Sequence, residues 1–534
     1  MRERTVQILL TLLILIVLQA GVAGKALCDD GKEETHFKNE GKNPGIEEAL
    51  PPDKMAETEH VLGTGTSALR YRAMAGTLPI EITGERECRI FFISYELQDE
   101  PHDSRPLTFV FNGGPGASSA YLHLAALGPM RVVFHKDGSI PAPPARLTEN
   151  MHTWLRFTDL VFVDPVGTGY SRCVSTPSDG KNEEKGKKET GVWGVQEDLT
   201  SLAKFIRLYL TRNDRWLCPK FLVGESYGGF RVAALSELLT SDYGICPNGI
   251  VLLSPVLEFG YIMGDDFSLL PWIVTLPSYA ATAMYHKKAV GKRPESGDRR
   301  ADLKEVEDFA VKVFLPALAE ARTSEIEHRI DSYTGLPEPF VSRLQCRISP
   351  RLFVKELLRQ DGRLISIYDG TWKAIDPDPA SPLPPEKDLL LVDVNTLVTA
   401  GFNSYVREEL KFKTDIPYEV LNNQVSRKWN WRSGLDSGQG FAGVAGDIKS
   451  SMSMNKDLKV FIAHGVFDLV TPYFGSVLIT RQMSLDPAIA SNLKLKVYEG
   501  GHMFYTHRQG RLDFFEDAKE FFGSTPASAL LPIE

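Results

Sequence analysis

The chain has 534 residues, a formal net charge of −9, 43% hydrophobic and 24% charged residues. That balance is ordinary for a globular protein, and the length accommodates two to four average domains, or one large α/β domain carrying an insertion. Nucleic-acid binding is excluded: there is no basic stripe or aromatic-interleaved arginine cluster, and the lysines of residues 180–189 alternate with acids as in a solvated loop.

At the N-terminus Arg2 and Arg4 precede an apolar run from Ile8 to Leu18, followed by the small residues Ala20, Gly21, Ala23, Gly24 and Ala26. This predicts a secretory signal peptide over residues 1–26, cut near Ala23 or Ala26, and hence export to the periplasm or the medium. The run is short for a spanning helix, an uncleaved anchor being the alternative and the one membrane contact expected. Lys25-Ala26-Leu27 before Cys28 makes a poor lipoprotein signal. Residues 27–57 are polar and predict a flexible segment. Six scattered cysteines without a C-x-x-C pair leave the disulfide pairing open. No His/Cys/Asp spacing resembles a metal site.

From residue 58 the pattern turns to β. The runs Ala68–Met74, Leu78–Ile82 and Arg89–Leu97, separated by turn residues, predict antiparallel strands at one edge of a sheet. Pro106–Phe111 reads as a buried strand running into Asn112-Gly-Gly-Pro-Gly, a turn that exposes backbone N–H groups. Asp159–Asp164 is a second buried strand, followed by Pro165-Val-Gly-Thr-Gly-Tyr-Ser, which lacks the G-x-G-x-x-G spacing of a dinucleotide loop. A helical period over Gln196–Leu210 leads to the strand Phe221–Val223, and Gly249–Ser254 is the strand after it.

Buried strands alternating with helices predict a mostly parallel sheet covered on both faces, an α/β fold. Over residues 256–456 the rhythm breaks. Helical stretches (Leu303–Ala321, Pro350–Arg359), the proline-rich Asp376–Pro385 and Lys428-Trp-Asn-Trp-Arg432 predict a largely helical cap inserted between core segments 58–255 and 457–534. The Trp and Arg of the last stretch offer a lining for a substrate cleft, with packing inside the cap the preferred reading for any one of them. The α/β rhythm returns with the strand Leu458–Ala463, a helix from about Gly475 to Met483, the strand Leu493–Glu499 and an amphipathic helix over Asp513–Phe522.

The chemistry centres on Phe221-Leu-Val-Gly-Glu-Ser-Tyr-Gly-Gly-Phe, where Gly224, Ser226 and Gly228 form a G-x-S-x-G elbow between strand and helix. The five-residue pattern alone arises by chance in many proteins; its strand–turn–helix setting makes Ser226 a candidate nucleophile. A serine needs a base, and the base needs a carboxylate to hold its tautomer. His464 and His502 lie at late strand ends. His502 follows Gly500-Gly501 on a loop free to turn inward, whereas His464 is still in its strand and reads as a packed side chain. Asp468 lies just beyond that earlier strand. The order Ser226, Asp468, His502 is that of α/β-hydrolases.

Asn112-Gly-Gly-Pro-Gly, Val163-Asp-Pro-Val-Gly-Thr-Gly-Tyr-Ser, Gly224-Glu-Ser-Tyr-Gly-Gly, Gly465-Val-Phe-Asp and Gly501-His-Met together resemble the serine carboxypeptidases, peptidase family S10. The resemblance spans nearly all of the mature length and has a bacterial rather than a vacuolar or plant form. It implies an α/β-hydrolase fold and cleavage of peptides with a free C-terminal carboxylate. Ser226 would be the nucleophile, with His502 and Asp468 completing the triad. The N–H groups of Gly114 and Tyr227 would form the oxyanion hole, and Asn112, Gly113 and Glu225 would bind the substrate carboxylate. No metal or cofactor is implied. Glu225 would bind a carboxylate only when protonated, which predicts activity best at acidic pH.

Three positions depart from the family pattern. Ala126 stands where the eukaryotic enzymes usually carry a second glutamate, Ala117 replaces a cysteine, and the usual Gln is absent between Asp164 and Pro165. An esterase or acyltransferase using the same triad is the alternative that Ala126 keeps open, and a non-catalytic binding protein on a hydrolase fold is the third reading.

Overall fold

The computed structural model describes residues 51–524 apart from 52–53, 66–67, 83–85, 99, 102, 175–190, 290–299, 321–323 and 433–440. The expected signal peptide, most of the polar segment after it and the lysine-rich stretch 180–189 therefore lie outside the described residues. Ten strands form one sheet: β1 (Ala56–Leu62), β2 (Leu69–Ile82), β3 (Arg86–Leu97), β4 (Leu107–Phe111), β5 (Asp159–Val163), β6 (Arg172–Cys173), β7 (Lys220–Glu225), β8 (Gly249–Leu253), β9 (Lys459–Gly465) and β10 (Leu493–Tyr498). Their spatial order is β1-β2-β3-β5-β4-β7-β8-β9-β10, with β6 paired to β3 off that path. From β5 to β10 every pair is parallel, and β1, β2 and β3 add an antiparallel edge. This is the α/β-hydrolase fold expected from the sequence.

The inner strands are buried on both sides, so successive side chains feed two cores. Leu160 and Phe162 of β5, Val251 and Leu253 of β8, and Phe461 and Ala463 of β9 pack on one face. Their neighbours Val161, Val163, Ile250, Leu252, Val460 and Ile462 pack on the other. The principal helices are α1 (Val195–Arg212), α2 (Tyr227–Asp242), α3 (Leu270–Tyr285), α4 (Leu389–Glu408), α5 (Ala445–Met454), α6 (Tyr473–Gln482) and α7 (Arg508–Gly523). Helix α1 buries Leu199, Leu202, Ile206 and Leu210 at helical spacing against the second face, together with α2 and with Ile448 and Met452 of α5. The first face is covered by Phe514, Phe515, Ala518, Phe521 and Phe522 of α7 and by the apolar side of α4. Helix α4 is long and apolar enough to cross a membrane by length and composition, yet that apolar side is packed into this core. A third core joins α3, the segments after it and α6.

Four expectations are corrected. Ala68–Met74 and Leu78–Ile82 belong to the single strand β2. Among the described residues β1 flanks β2 only as far as Ala75, and Pro79 beyond it pairs with β3 alone, which tolerates a residue without an N–H. β1 begins at Ala56, inside the segment expected to be flexible. The expected helix Leu303–Ala321 is broken into short turns with a π-helical one at Ala310–Phe314, just before Pro316, which has no N–H to continue the ladder. Finally, α7 starts at Arg508 rather than Asp513, because its polar first turn carries no apolar period.

Cys88 and Cys173 stand directly opposite in the β3–β6 pair and form a disulfide, while Cys218 and Cys346 are buried and Cys246 is exposed.

Candidate active site

The register of the parallel strands brings their carboxyl ends level. Glu225 of β7 pairs with Leu253 of β8, Leu253 with Ala463 of β9, and Gly465 of β9 with Tyr498 of β10. Ser226, Asp468 and His502 follow three of these ends, where an open α/β sheet offers a crevice.

Ser226 has φ 60° and ψ −124°, a strained backbone for a non-glycine residue, and is half-buried at the start of α2. The elbow is this tight because Gly224 lets strand and helix touch: a Cβ there would lie 1.9 Å from the Gly228 carbonyl oxygen. Ser226 N–H donates to Leu253 O (2.9 Å), and the next residue, Ser254, donates its hydroxyl to His502 O (2.8 Å). The end of β8 thus braces both loops.

His502 Nδ1 lies 2.8 Å from Asp468 Oδ2, with both side chains buried. Asp468 also accepts from the N–H groups of Val470 (2.8 Å) and Thr471 (3.0 Å), and the Thr471 hydroxyl is 2.7 Å from Oδ2. Burial would raise the Asp468 carboxyl, but the His502 charge and these hydrogen bonds hold it below the usual value. Burial likewise opposes a charged His502; the Asp468 charge and hydrogen bond, with the Glu225 charge, more than offset it and hold the imidazole above its ordinary value. No hydrogen bond joins Ser226 to His502 among the described residues; such bonds are often loose before substrate binds. His464 is the packed histidine that its position predicts. Its Nε2 is 2.9 Å from Ser476 Oγ, and burial pushes it down to about 4.

The Asn112–Gly116 turn lies flat against the elbow. A Cβ on Gly113 would come 2.6 Å from both Glu225 O and Tyr227 N, and Gly114 takes φ +100°. The N–H groups of Gly114 and Tyr227 have no backbone acceptor among the described residues, as befits donors kept for an oxyanion. Asn112 donates its amide to Glu225 Oε2, and its Oδ1 accepts from Leu122 N–H (3.0 Å). Arg231, paired within α2's buried side to Asp198 of α1 (2.6 Å), donates to Asn112 O. Burial pushes Glu225 up to about 7, against the opposing charge of His502 and the hydrogen bonds from Tyr505 and Asn112. Ala126 is buried in the π-helical turn His123–Leu127 and supplies only a methyl group. Trp429 is buried against Tyr227, with ring centroids 5.4 Å apart, so it packs on helix α2 of the sheet's second face rather than among the residues of its own segment.

All eight residues expected at the site therefore converge on one carboxyl edge. Tyr505, Thr471, Ser254 and Tyr368 were not expected. Tyr368 accepts the His502 N–H (2.6 Å), sets its ring edge against the imidazole at 5.6 Å, and with Met503 lines a cleft of 470 Å³. Among the described residues one set, His328, Asp331 and Glu338, brings potential metal-ligand atoms within 4.8 Å of one another, two of the three being exposed, as is common without an ion.

Residues 66–250 match the model of the serine carboxypeptidase family, S10. Serine carboxypeptidase-like 44 of Arabidopsis thaliana is 33% identical over 203 residues, 36% of this chain and 38% of the relative. Serine carboxypeptidase-like 9 of the same plant is 26% identical over 222 residues, 40% of this chain and 45% of the relative. The pheromone-processing carboxypeptidase KEX1 of Komagataella pastoris is 29% identical over 203 residues, 36% and 28% of the two chains. The chain thus spans less than half the length of these curated relatives. They are plant and yeast proteins, which lends no support to a bacterial form. Among solved structures, the peroxisomal α/β-hydrolase Lpx1 of Saccharomyces cerevisiae aligns with TM-score 0.37 and 11% identity over 89% of this chain and 90% of its own. Proline iminopeptidase of Mycobacterium smegmatis aligns with TM-score 0.35 and 12% identity over 84% and 98%. What the comparisons support is a likeness to the serine carboxypeptidase family S10, at low identity, over the first segment of the hydrolase core.

Proposed function

We propose that the protein is a serine carboxypeptidase that releases C-terminal residues from peptides through an acyl-enzyme on Ser226. The observation that carries this reading is the pair Asn112–Glu225 beside the elbow: an amide and a buried carboxyl that keeps its proton up to about 7. Such a pair receives a terminal carboxylate through neutral donors, and an ionised Glu225 would repel it.

Ser226 Oγ attacks the last peptide carbonyl while His502 Nε2 takes its proton; Asp468 on Nδ1 fixes the tautomer and stabilises the imidazolium. The oxyanion forms against the N–H groups of Gly114 and Tyr227 at the start of α2, where the helix dipole also favours negative charge. His502 then protonates the leaving amine, and water attacks the acyl-enzyme with His502 again as base.

Export is part of the proposal. It is supported by the charged and apolar pattern of residues 2–18 and by the Cys88–Cys173 disulfide, a bond that persists in oxidising compartments. The mass of the N-terminal peptide of the exported protein tests it: a start after Ala23 or Ala26 is expected, and recovery only inside the cell overturns it.

The activity is tested by release of the C-terminal residue from N-blocked dipeptides between pH 4 and 8, beside a neutral ester. Cleavage on the acid side of neutrality, reduced on the order of 10⁶-fold in Ser226→Ala, is the expected result. Ester turnover that depends on Ser226, with no dipeptide cleaved at any pH, would overturn the peptidase and leave the esterase that Ala126 favours.

A further inference from the structure

Glu225 is held from two sides. The Tyr505 hydroxyl donates to Oε1 at 2.7 Å while the Asn112 amide donates to Oε2. Tyr505 is fully buried and Glu225 nearly so. The phenol sits on the short 3-10 turn Phe504–Thr506, three residues beyond His502. That turn is fixed by Phe504, whose ring stacks on Tyr498 at 5.0 Å and meets Phe514 edge-on at 5.2 Å.

The geometry dictates where the acid proton of Glu225 points. The Asn112 Nδ2 group can only donate, and its amide oxygen is already taken by Leu122 N–H. The Tyr505 proton goes to Oε1. Each carboxyl oxygen thus has one lone pair filled by a protein donor; a phenol oxygen can also accept, but the Tyr505 proton has no other acceptor among the described residues, so the phenol is the donor here. The proton of the neutral acid is left the remaining direction, outward from both partners.

We propose that Tyr505 is a positioning residue of the carboxylate clamp: with Asn112 it locks the Glu225 carboxyl so that its proton faces the C-terminal carboxylate of the substrate. This rests on the carboxypeptidase reading above. A phenol that donates to a carboxyl also favours its ionised form, so Tyr505 sets the upper pH at which the clamp works. The other titratable groups that act on Glu225 are His502, Asp468, Tyr121, which also acts on Tyr505, and Tyr368, with Arg231 held on the Asn112 carbonyl.

The test uses the full chain with Tyr505→Phe. It follows kcat and KM for an N-blocked dipeptide and a neutral ester from pH 5 to 8, together with an infrared pH titration of the Glu225 carboxyl band, assigned by its loss in Glu225→Gln. Expected are a rise in dipeptide KM of about tenfold, the size of one hydrogen bond to a charged group, kcat and ester turnover within about twofold of wild type, and a band midpoint moved to higher pH. Incorporation of 3,5-difluorotyrosine at position 505 keeps the shape and strengthens the donor. It should move the midpoint to lower pH, and it serves if the phenylalanine variant folds poorly. Unchanged KM and midpoint in an active protein overturn the role of Tyr505 alone. A wild type that turns over the ester and no dipeptide overturns the carboxypeptidase reading, and the clamp with it, whatever the midpoint does.

Discussion

Two side chains at the carboxyl edge carry linked charges, and the pH behaviour of the site follows from them. The Glu225 anion raises His502, and the His502 cation lowers Glu225. The pair therefore titrates jointly, and its apparent values belong to both groups. Binding needs Glu225 protonated and acylation needs His502 neutral, so kcat/KM for a dipeptide should be bell-shaped with its alkaline limb near pH 7. Glu225→Gln removes the group that sets that limb and the anion that raises His502. Dipeptide cleavage by this variant should stay flat into the alkaline range, and its acid limb should move to lower pH. An unchanged alkaline limb would assign that limb to another group. In Asp468→Asn the Val470 and Thr471 N–H groups keep the amide oxygen, the amide N–H group turns toward Nδ1 and holds His502 in the wrong tautomer, and kcat should fall by about 10⁴-fold on dipeptide and ester alike. A loss confined to the dipeptide would show that Asp468 serves binding rather than the base.

At the scale of elements, the site depends on close approaches between backbone segments and on caps far from the elbow. Gly113 touches the backbone of Glu225 and Tyr227, so a methyl group there must push the Asn112–Gly116 turn outward. Gly113→Ala should lower the acylation rate by about 100-fold, the usual consequence of an ångström of misplacement, with the far-UV circular dichroism unchanged; wild-type acylation would show that the turn yields without harm. Asp388 caps α4 by accepting from Leu390 and Leu391 N–H, and it also binds Ser366 Oγ (2.8 Å) and Ile367 N–H (3.0 Å), the residues just before Tyr368. Asp388→Ala should destabilise the fold by about 2 kcal/mol, the upper range for a cap, and loosen the support under His502, seen as a lower Tm together with a lower kcat. These dependences mark the limit of what the sequence discloses. Strand and helix order, the elbow and the three strand-end residues are legible because each follows an apolar run closed by glycine or a turn. Tyr505 meets Glu225 across 280 positions, Asp388 meets Ile367 from another segment, and Cys88 pairs with Cys173 only through the β3–β6 register. No local pattern encodes such meetings. The division of β2 into two runs failed for a related reason: glycine and proline break a strand in general, but here the unbroken pairing with β3 carries the strand through both.

For the molecule as a whole, the same carboxyl edge sets the pH range of stability. Burial pushes Asp164 and Glu225 up to about 7 and Asp447 up to about 6. The folded chain then holds more protons at these sites than the unfolded chain from about pH 4 up to 6 or 7, and stability falls as pH rises through that window. His502, and His507 beside Asp369, are raised and act in the same sense: their stabilisation is complete below the ordinary histidine value and is lost as pH rises past it. Against them, His123 is pushed by burial to about 3 and His464 to about 4, so the folded chain loses stability as pH drops from about 6.5 toward 4. Above the ordinary histidine value the lowered histidines are neutral in both states, so there the raised carboxyls and raised histidines act alone and the destabilising sense remains. Tm should hence fall between pH 6 and pH 8. Asp164 is the group to remove, since it lies outside the proposed chemistry: its Oδ1 accepts from Ser119 N–H (2.9 Å), just past the Asn112–Gly116 turn, and from Tyr418 OH (3.2 Å). An asparagine keeps that acceptor and stays neutral. Asp164→Asn should match wild type at pH 5.5 and lose less Tm on going to pH 8, which calorimetry at the two pH values measures. An equal loss in both proteins would place the pH sensitivity elsewhere. A smaller loss would mean that the edge that fails to bind a carboxylate above neutrality is also where the fold weakens, so that catalysis and stability decline together as the pH rises.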